Sequence, residues 1–379
     1  GHGGRETVCD DSSHAHRHTM GKVYRAVLLA SLAARASGTA VKMDYLPLAD
    51  VRTDPLLNPT CLSDHVHTYF GVAASLRPET DYADMRAAEG NSGNVEENKS
   101  LYWYPTVYRK VGGVFEKAPI YFNSAYYAWE TGTARAFKNG FKMIATGTDR
   151  AARLSFHCAN PSSGEFSDTK VFPDEQCEEL EVNMVFPDCW DGVTLTDKGE
   201  GQTSHVAYND KATAGREVTF DGNCPASHPV KIPEIHVFFR IRGYLGGYQG
   251  GQYLFSDGTQ NMHADYFSGW EEGFLQRVLD GCTNAGTGAD EFFCECGTGQ
   301  GGPSGACLTY RVPTTTGVDK EDEVIREGLL AIQPYAFDPD TSTGAFPSKT
   351  TISPESVDRI RTLPRGACSG ILLPPPGGP

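Results

Sequence analysis

Six polar residues lie inside aromatic-rich segments, where burial without partners is expensive. They are His65, His67, Asp188, His205, His263 and Asp265. His65 and His67 stand at i, i+2, as do His263 and Asp265. On a strand this spacing turns both side chains to one face. His205 follows a Gly-containing turn, and Asp188 and Asp191 flank Cys189 and Trp190. The expectation is that strand packing gathers these groups around one cavity.

Two chemistries fit such a cavity. In the first, a histidine acts as acid or base near neutral pH while a neighbouring Asp orients its ring. Paired carboxylates such as Asp188 and Asp191 would then support glycan hydrolysis. A histidine with Tyr126 or Tyr208 would support β-elimination from a uronic acid. In the second, His65, His67 and either His205 or His263 bind a divalent metal, with Asp completing the shell. No H-E-x-x-H signature accompanies them. Trp103, Tyr126, Trp190, Tyr208 and Trp270 lie close to the motifs and offer flat faces to sugar rings. The competing reading is that such large aromatics are core. His228, in a Pro-bracketed turn, and His236, on a strand, read as structural.

Other chemistries find no support. There is no G-x-S-x-G elbow. The run from Gly299 to Pro303 lacks the Lys-Ser/Thr of a phosphate loop. The Gly- and Tyr-rich run 243–251 reads as a loop near a cleft. The 379 residues carry a formal charge of −15 without a long basic run. Phosphate neutralisation needs clustered Lys and Arg, so nucleic acid is excluded as the expected partner.

The elements that must position these residues are mostly strands. Gly at 42 and Pro at 23 suit many short strands joined by turns. Residues 101–108 are aromatic and β-branched, Gly112-Gly113 marks a hairpin turn, and residues 114–127, 137–145, 151–158 and 180–186 favour strands. Residues 232–242 alternate most clearly, with Ile235, Val237, Phe239 and Ile241 on one face. Helical spacing occurs at Trp270–Gly281 and Lys320–Ile332. Residues 86–100 are polar and read as an exposed loop, with Asn98-Lys99-Ser100 a glycosylation sequon. The fold expected is mainly β, a β-sandwich or jelly-roll-like core with a few peripheral helices and disulfide-stapled loops.

Eleven cysteines are spread over the chain, which implies disulfides and an oxidising compartment. Proximity pairs Cys158 with Cys177 and Cys189 with Cys224, with further pairs among Cys282, Cys294, Cys296 and Cys307. Met20, the basic Lys22 and Arg25, the apolar run 26–34 and the small residues Gly38-Thr39-Ala40 have the order of a secretory signal. The organisation expected is an upstream leader over 1–19, a signal peptide over 20–40, one large β-rich domain over 41–310, and a C-terminal extension over 311–379 with a Pro-rich tail. No apolar run approaches the roughly 20 residues that span a bilayer.

Several segments together resemble one family. They are Asp54-Pro-Leu-Leu-Asn58-Pro59, Asp64-His65-Val-His67-Thr-Tyr-Phe-Gly71, Tyr102-Trp103-Tyr-Pro105 and Ala136-Phe137-Lys-Asn-Gly140-Phe141-Lys-Met143. Further along come Phe186-Pro-Asp188-Cys189-Trp190-Asp191-Gly192, Ser204-His205-Val-Ala-Tyr208, the stretch Cys224–Pro233, and Met262-His263-Ala-Asp265-Tyr-Phe-Ser-Gly269-Trp270. Their order and spacing resemble a secreted fungal and actinobacterial domain of unknown function that often accompanies WSC or ricin-type carbohydrate-binding modules. The resemblance runs from about residue 50 to about residue 285. It implies secretion and a polysaccharide or cell-wall setting, and no particular reaction.

Two functions follow as expectations. One is a secreted polysaccharide hydrolase or lyase with His65, His205, His263, Asp265, Asp188 and Asp191 at its centre. The other is a non-catalytic glycan-binding or cell-wall matrix protein, with self-assembly into fibres a possible role.

Overall fold

The computed structural model describes residues 38–332 together with 351 and 352. Within that span, residues 61–62, 64, 75, 112–113, 147–152, 161–165, 197–203, 213–217, 248–251, 283–293, 295, 297–305 and 313–320 fall outside the description. The expected leader, nearly all of the signal segment and the Pro-rich tail lie outside the described residues. Gly38, Thr39 and Ala40, read as a cleavage site, are the first residues of a strand.

In chain order the strands are β1 (Gly38–Tyr45), β2 (Ala49–Val51), β3 (His67–Gly71), β4 (Leu101–Pro105), β5 (Val107–Val111), β6 (Val114–Lys117), β7 (Ile120–Glu130), β8 (Lys142–Thr146) and β9 (Leu154–Ala159). They continue with β10 (Phe166–Thr169), β11 (Cys177–Val185), β12 (Cys189–Trp190), β13 (Val206–Ala207), β14 (Val230–Lys231), β15 (Glu234–Tyr244), β16 (Tyr253–Phe255), β17 (His263–Phe267) and β18 (Thr351–Ile352). The helices are α1 (Tyr82–Ala87), α2 (Phe274–Gly281) and α3 (Glu321–Ile332).

Two antiparallel sheets dominate, ordered β1-β7-β15-β11-β9-β10 and β2-β3-β4-β17-β8. Period-two alternation decides what each face buries. In the six-stranded sheet Met43, Ala125, Val237, Met184 and Leu154 lie opposite one another in one row and point inward. From the five-stranded sheet Phe70, Tyr102, Tyr104, Ala264 and Tyr266 point to the same core. Tyr104 stacks on Phe239 across the gap, with ring centroids 4.5 Å apart. This is sheet-on-sheet packing. The architecture is therefore mainly β, a sandwich with three helices among the described residues and no closed barrel.

The five-stranded sheet is covered on its other face too. Val51, Tyr69, Leu101, Trp103 and Phe267 form a second core with Leu56, Val72, Leu76 and Met85 of α1. A capping box opens α1, with Asp81 and Asp84 each accepting from the other's backbone N–H. Among the described residues four disulfides join Cys158 to Cys177, Cys189 to Cys224, Cys282 to Cys294 and Cys296 to Cys307. Cys9, Cys61 and Cys368 lie outside the described residues. Among the described residues no helix is long and apolar enough to cross a membrane.

The loop expected to be exposed before β4 is instead largely interior. Asn91, Ser92, Asn94, Asn98 and Ser100 are all buried. Short polar side chains can replace a missing sheet ladder, and these do. Asn94 accepts from the Asp44 N–H, Ser92 from the Gly71 N–H, and Asn91 donates to the Val95 and Asn98 carbonyls. The sequon reading fails for the same reason. The Asn98 amide donates to the Tyr45 and Tyr102 hydroxyls, both at 2.9 Å, inside the core, where a glycan has no room.

A candidate metal centre on the five-stranded sheet

Three imidazoles meet on the outer face of the five-stranded sheet. His67 opens β3 opposite Pro105, the last residue of β4. On the far side of β4, β17 runs with Asp265 opposite Trp103. The same register carries His263 to the level of Pro105. His67 and His263 thus flank Pro105 from two strands about 10 Å apart. Proline removes a ladder donor and is tolerated at a strand end. Its compact ring leaves the space above it to the longer imidazoles. His65 precedes β3 by two residues, and its ring centroid is 4.3 Å from that of His67.

The ring nitrogens are close. His263 Nε2 lies 3.2 Å from His65 Nε2 and 3.4 Å from His67 Nε2. One nitrogen from each of the three rings falls within 4.8 Å of the others. A tetrahedron with arms of 2.0–2.1 Å, the zinc–imidazole distance, has edges of about 3.3–3.4 Å. Two edges of this triangle match it. A shared vertex at His263 Nε2 also conflicts with ordinary hydrogen bonding, because one nitrogen facing two others cannot donate to both.

Supporting groups fix the rings. His67 Nδ1 donates to the Thr53 carbonyl at 2.8 Å. That bond assigns the proton to Nδ1 and leaves the Nε2 lone pair toward the other imidazoles, the usual arrangement behind a metal-bound histidine. The Tyr69 hydroxyl donates to the same carbonyl at 2.9 Å. Burial, then the neighbouring His65 and His263, hold the His67 ring well below its ordinary pKa, so it stays neutral. Asp265, buried one row below, has Oδ2 3.9 Å from His263 Nε2. Trp103 stacks on Tyr69 at 5.2 Å on that row. Its Nε1–H is buried and has no acceptor among the described residues. His67 is fully buried, whereas His65 and His263 are part-exposed, so the nitrogen triangle has one open side.

The other residues singled out from sequence lie elsewhere. His205 packs against Phe141, with ring centroids 5.2 Å apart. Phe141 lies five residues from Thr146, the partner of His263, so about 16 Å separates the two levels. Phe141 also belongs to the inner core, on the other side of the sheet. His205 does not join the imidazole group. Asp188 accepts from the Asn209 N–H and amide and pairs with Lys231 at 3.1 Å. Asp191 Oδ1 instead accepts from the Val193 and Thr194 N–H groups of its own turn. The two carboxylates serve different local networks and do not form a facing hydrolytic pair.

The aromatic platform is also revised. Trp103, Trp190 and Trp270 are 0%, 4% and 3% exposed, so they offer no ring face to a sugar. Large rings yield more free energy in the core than at the surface. Tyr208 is half-buried, donates to the Val185 carbonyl and lies under the Arg153 guanidinium. Tyr126 is half-buried on the outer face of the other sheet. His228 is held by Ser204 and Ser227, as a structural histidine.

Sequence reasoning did not single out Thr53 or Pro105. Thr53 acts through its carbonyl, which leaves no trace in residue type. Pro105 was legible: a proline closing an aromatic strand run marks a strand end. Reasoning also passed over the buried network of Glu234, His236, Arg153 and Thr219, in which Glu234 accepts from His236 at 2.6 Å, Arg153 at 3.2 Å and Thr219 Oγ1 at 2.8 Å.

A family model described as a domain of unknown function (DUF1996) matches residues 54–270. No curated protein and no solved structure matches the chain. The matched span contains all three imidazoles, Thr53's neighbour Asp54, and Asp265.

Proposed function

The chain belongs to the DUF1996 family of domains of unknown function, and from that premise we propose that His65, His67 and His263 hold one divalent transition-metal ion used in extracellular polysaccharide cleavage. The observation that carries the reading is the 3.2 and 3.4 Å spacing of the three Nε2 atoms, with one side open. Three imidazoles and a free position are the donor set of a catalytic rather than a structural zinc site. A metal there would act as a Lewis acid and lower the pKa of a bound water.

The chain's own residues have defined tasks in this reading. His67, locked by the Thr53 carbonyl, sets the depth of the site. His65 and His263 form its rim. Asp265, close to His263 Nε2, holds or receives a proton at its carboxylate. The glycan substrate and secretion rest on the resemblance to secreted, carbohydrate-associated domains, and the four disulfides agree with an oxidising compartment.

The test is a panel of cell-wall and uronic-acid polysaccharides, followed by reducing-end release and by absorbance of unsaturated products. Cleavage of at least one polymer is expected, lost with chelator and restored by added metal. His205→Ala should leave turnover within about twofold, because its ring packs on Phe141, five residues along from the partner of His263 and on the inner side of the sheet. Chelator-resistant cleavage, or loss of activity in His205→Ala with an intact fold, would overturn the assignment.

A further inference from the structure

His67 is the buried member of the imidazole group, and one carbonyl decides which of its nitrogens carries the proton. That carbonyl belongs to Thr53, two residues past the end of β2, where Val51 pairs with His67. His67 Nδ1 donates to it at 2.8 Å and the Tyr69 hydroxyl at 2.9 Å. A carbonyl oxygen has two lone pairs, so these two donors fill it. The Thr53 hydroxyl in turn donates to the Tyr69 oxygen at 3.3 Å. Thr53 and Tyr69 are thus joined at two points.

The peptide planes on either side of this carbonyl have other anchors. The Arg52 carbonyl accepts from the Ser63 N–H at 2.9 Å, and the Asp54 carbonyl from the Asn58 N–H at 3.0 Å. The Asp54 carboxylate takes the Leu56 and Leu57 N–H groups, both at 2.9 Å. Those bonds set the course of the loop. The direction of the Thr53 carbonyl itself depends, among the described residues, on His67 and Tyr69. Tyr69 is rigidly held for this task. Its ring stacks on Trp103, with centroids 5.2 Å apart and 17° between the planes. Thr53, His67, Tyr69 and Trp103 are all 0% exposed, so solvent does not stand in for the hydroxyl.

We propose that Tyr69 is a positioning residue of the imidazole centre: its hydroxyl aims the Thr53 carbonyl at His67 Nδ1 and so keeps Nε2 free of a proton. The inference rests on the reading that these imidazoles bind a metal. A neutral imidazole carries one proton, on either nitrogen. With the carbonyl in place the proton belongs on Nδ1, because a buried N–H without an acceptor is costly. With the carbonyl turned away, the favoured tautomer has its proton on Nε2, where His263 Nε2 lies 3.4 Å away as an acceptor. A proton there occupies the lone pair that a metal needs. The sheet register repeats the device. Tyr69 and Asp265 each stand two residues along from an imidazole, on either side of Trp103. Asp265 lies beside His263 directly, whereas Tyr69 reaches His67 through Thr53.

Tyr69→Phe keeps the ring and its stack and removes only the hydroxyl. The first readout is nuclear magnetic resonance of the metal-free full chain with isotope-labelled histidine. The unsubstituted chain should show His67 protonated at Nδ1. That proton should cross-relax with the Tyr69 hydroxyl proton, since both point at one oxygen. This measurement needs neither a metal nor a variant that folds. In Tyr69→Phe a measurable share of His67 should carry its proton on Nε2 instead. The second readout is zinc affinity, which Tyr69→Phe should lower by about 10–100-fold, the usual cost of losing a supporting group. Thr53→Ala keeps the carbonyl and should lose only about two- to threefold, the worth of one weak hydrogen bond. His67 protonated at Nε2 in the unsubstituted chain, an unchanged tautomer in Tyr69→Phe, or full zinc affinity in that variant would each overturn the role of Tyr69. A tautomer shift in Tyr69→Phe, with no zinc bound even by the unsubstituted chain, would support the hold on His67 and refute the metal reading.

Discussion

His263→Ala should lower metal affinity by at least about a hundredfold. Zinc binding to four-ligand peptides is worth about 10–16 kcal/mol, so each ligand averages roughly 3 kcal/mol. His263 is the decisive member because its Nε2 is the vertex nearest both other rings. Without it, His65 and His67 leave a two-coordinate corner at the start of one strand. Asp265→Asn should have a smaller effect, about 10–100-fold, as expected for a supporting carboxylate. Competition titration with a chromophoric chelator reads both. Equal affinities for the unsubstituted chain and His263→Ala would show that the imidazoles are not the ligands.

Glu234→Gln should destabilise the fold by about 3–5 kcal/mol, the usual result of removing one partner from a buried ion pair. Glu234 is fully buried, and Arg153 beside it is 2% exposed. The substitution keeps the shape but removes the charge facing the guanidinium. It also weakens the tie that Thr219 makes between its loop and β15. The effect should depend on pH. Burial pushes the Glu234 pKa up, but the His236 bond and charge and the Arg153 charge outweigh it and bring it to about 2, from an ordinary 4.5. A carboxylate depressed in the folded state contributes stability that is complete above about pH 4.5 and is lost as pH falls toward about 2. The gap between the native chain and Glu234→Gln should therefore shrink over that window. Asp188 works in the opposite sense, since burial and the Glu234 charge raise its pKa. Removing the Glu234 charge also relieves Asp188, so the comparison reads the interacting pair of carboxylates together. Denaturant unfolding at pH 7 and pH 3 measures it; a pH-independent gap would contradict this account of the network.

Much of the sandwich was legible from alternation alone. Ile235, Val237, Phe239 and Ile241 point inward as their spacing demands. Cys158–Cys177 and Cys189–Cys224 follow chain proximity, while the partners among Cys282, Cys294, Cys296 and Cys307 were open until the fold paired Cys282 with Cys294 and Cys296 with Cys307. The i, i+2 spacing of His263 and Asp265 does put both on one face of β17, whereas His65 lies in a bend before β3 and reaches His67 from outside the strand. What spacing could not give was which strands become neighbours. His263 reaches His67 because β17 and β3 both pair with β4, a non-local arrangement. His205 has an equally suggestive local sequence, yet β12 and β13 carry it to a separate small sheet. Polar composition misled at 91–100, because buried asparagines and exposed ones look alike until the backbone they satisfy is known. The outer row of β15, Glu234, His236, Phe238 and Arg240, was present in the same alternation as the inner one. Only His236 in it was read as structural, because charged residues on a strand usually mean solvent.

The most direct test of the metal centre is X-ray absorption on protein purified from metal-supplemented medium, with bound metal quantified per chain. One ion per chain is expected, with three imidazole nitrogens at about 2.0–2.1 Å if the ion is zinc, and none in the His65→Ala, His67→Ala, His263→Ala triple variant. A metal-free protein that cannot be loaded, or an ion retained at full stoichiometry by the triple variant, would contradict it.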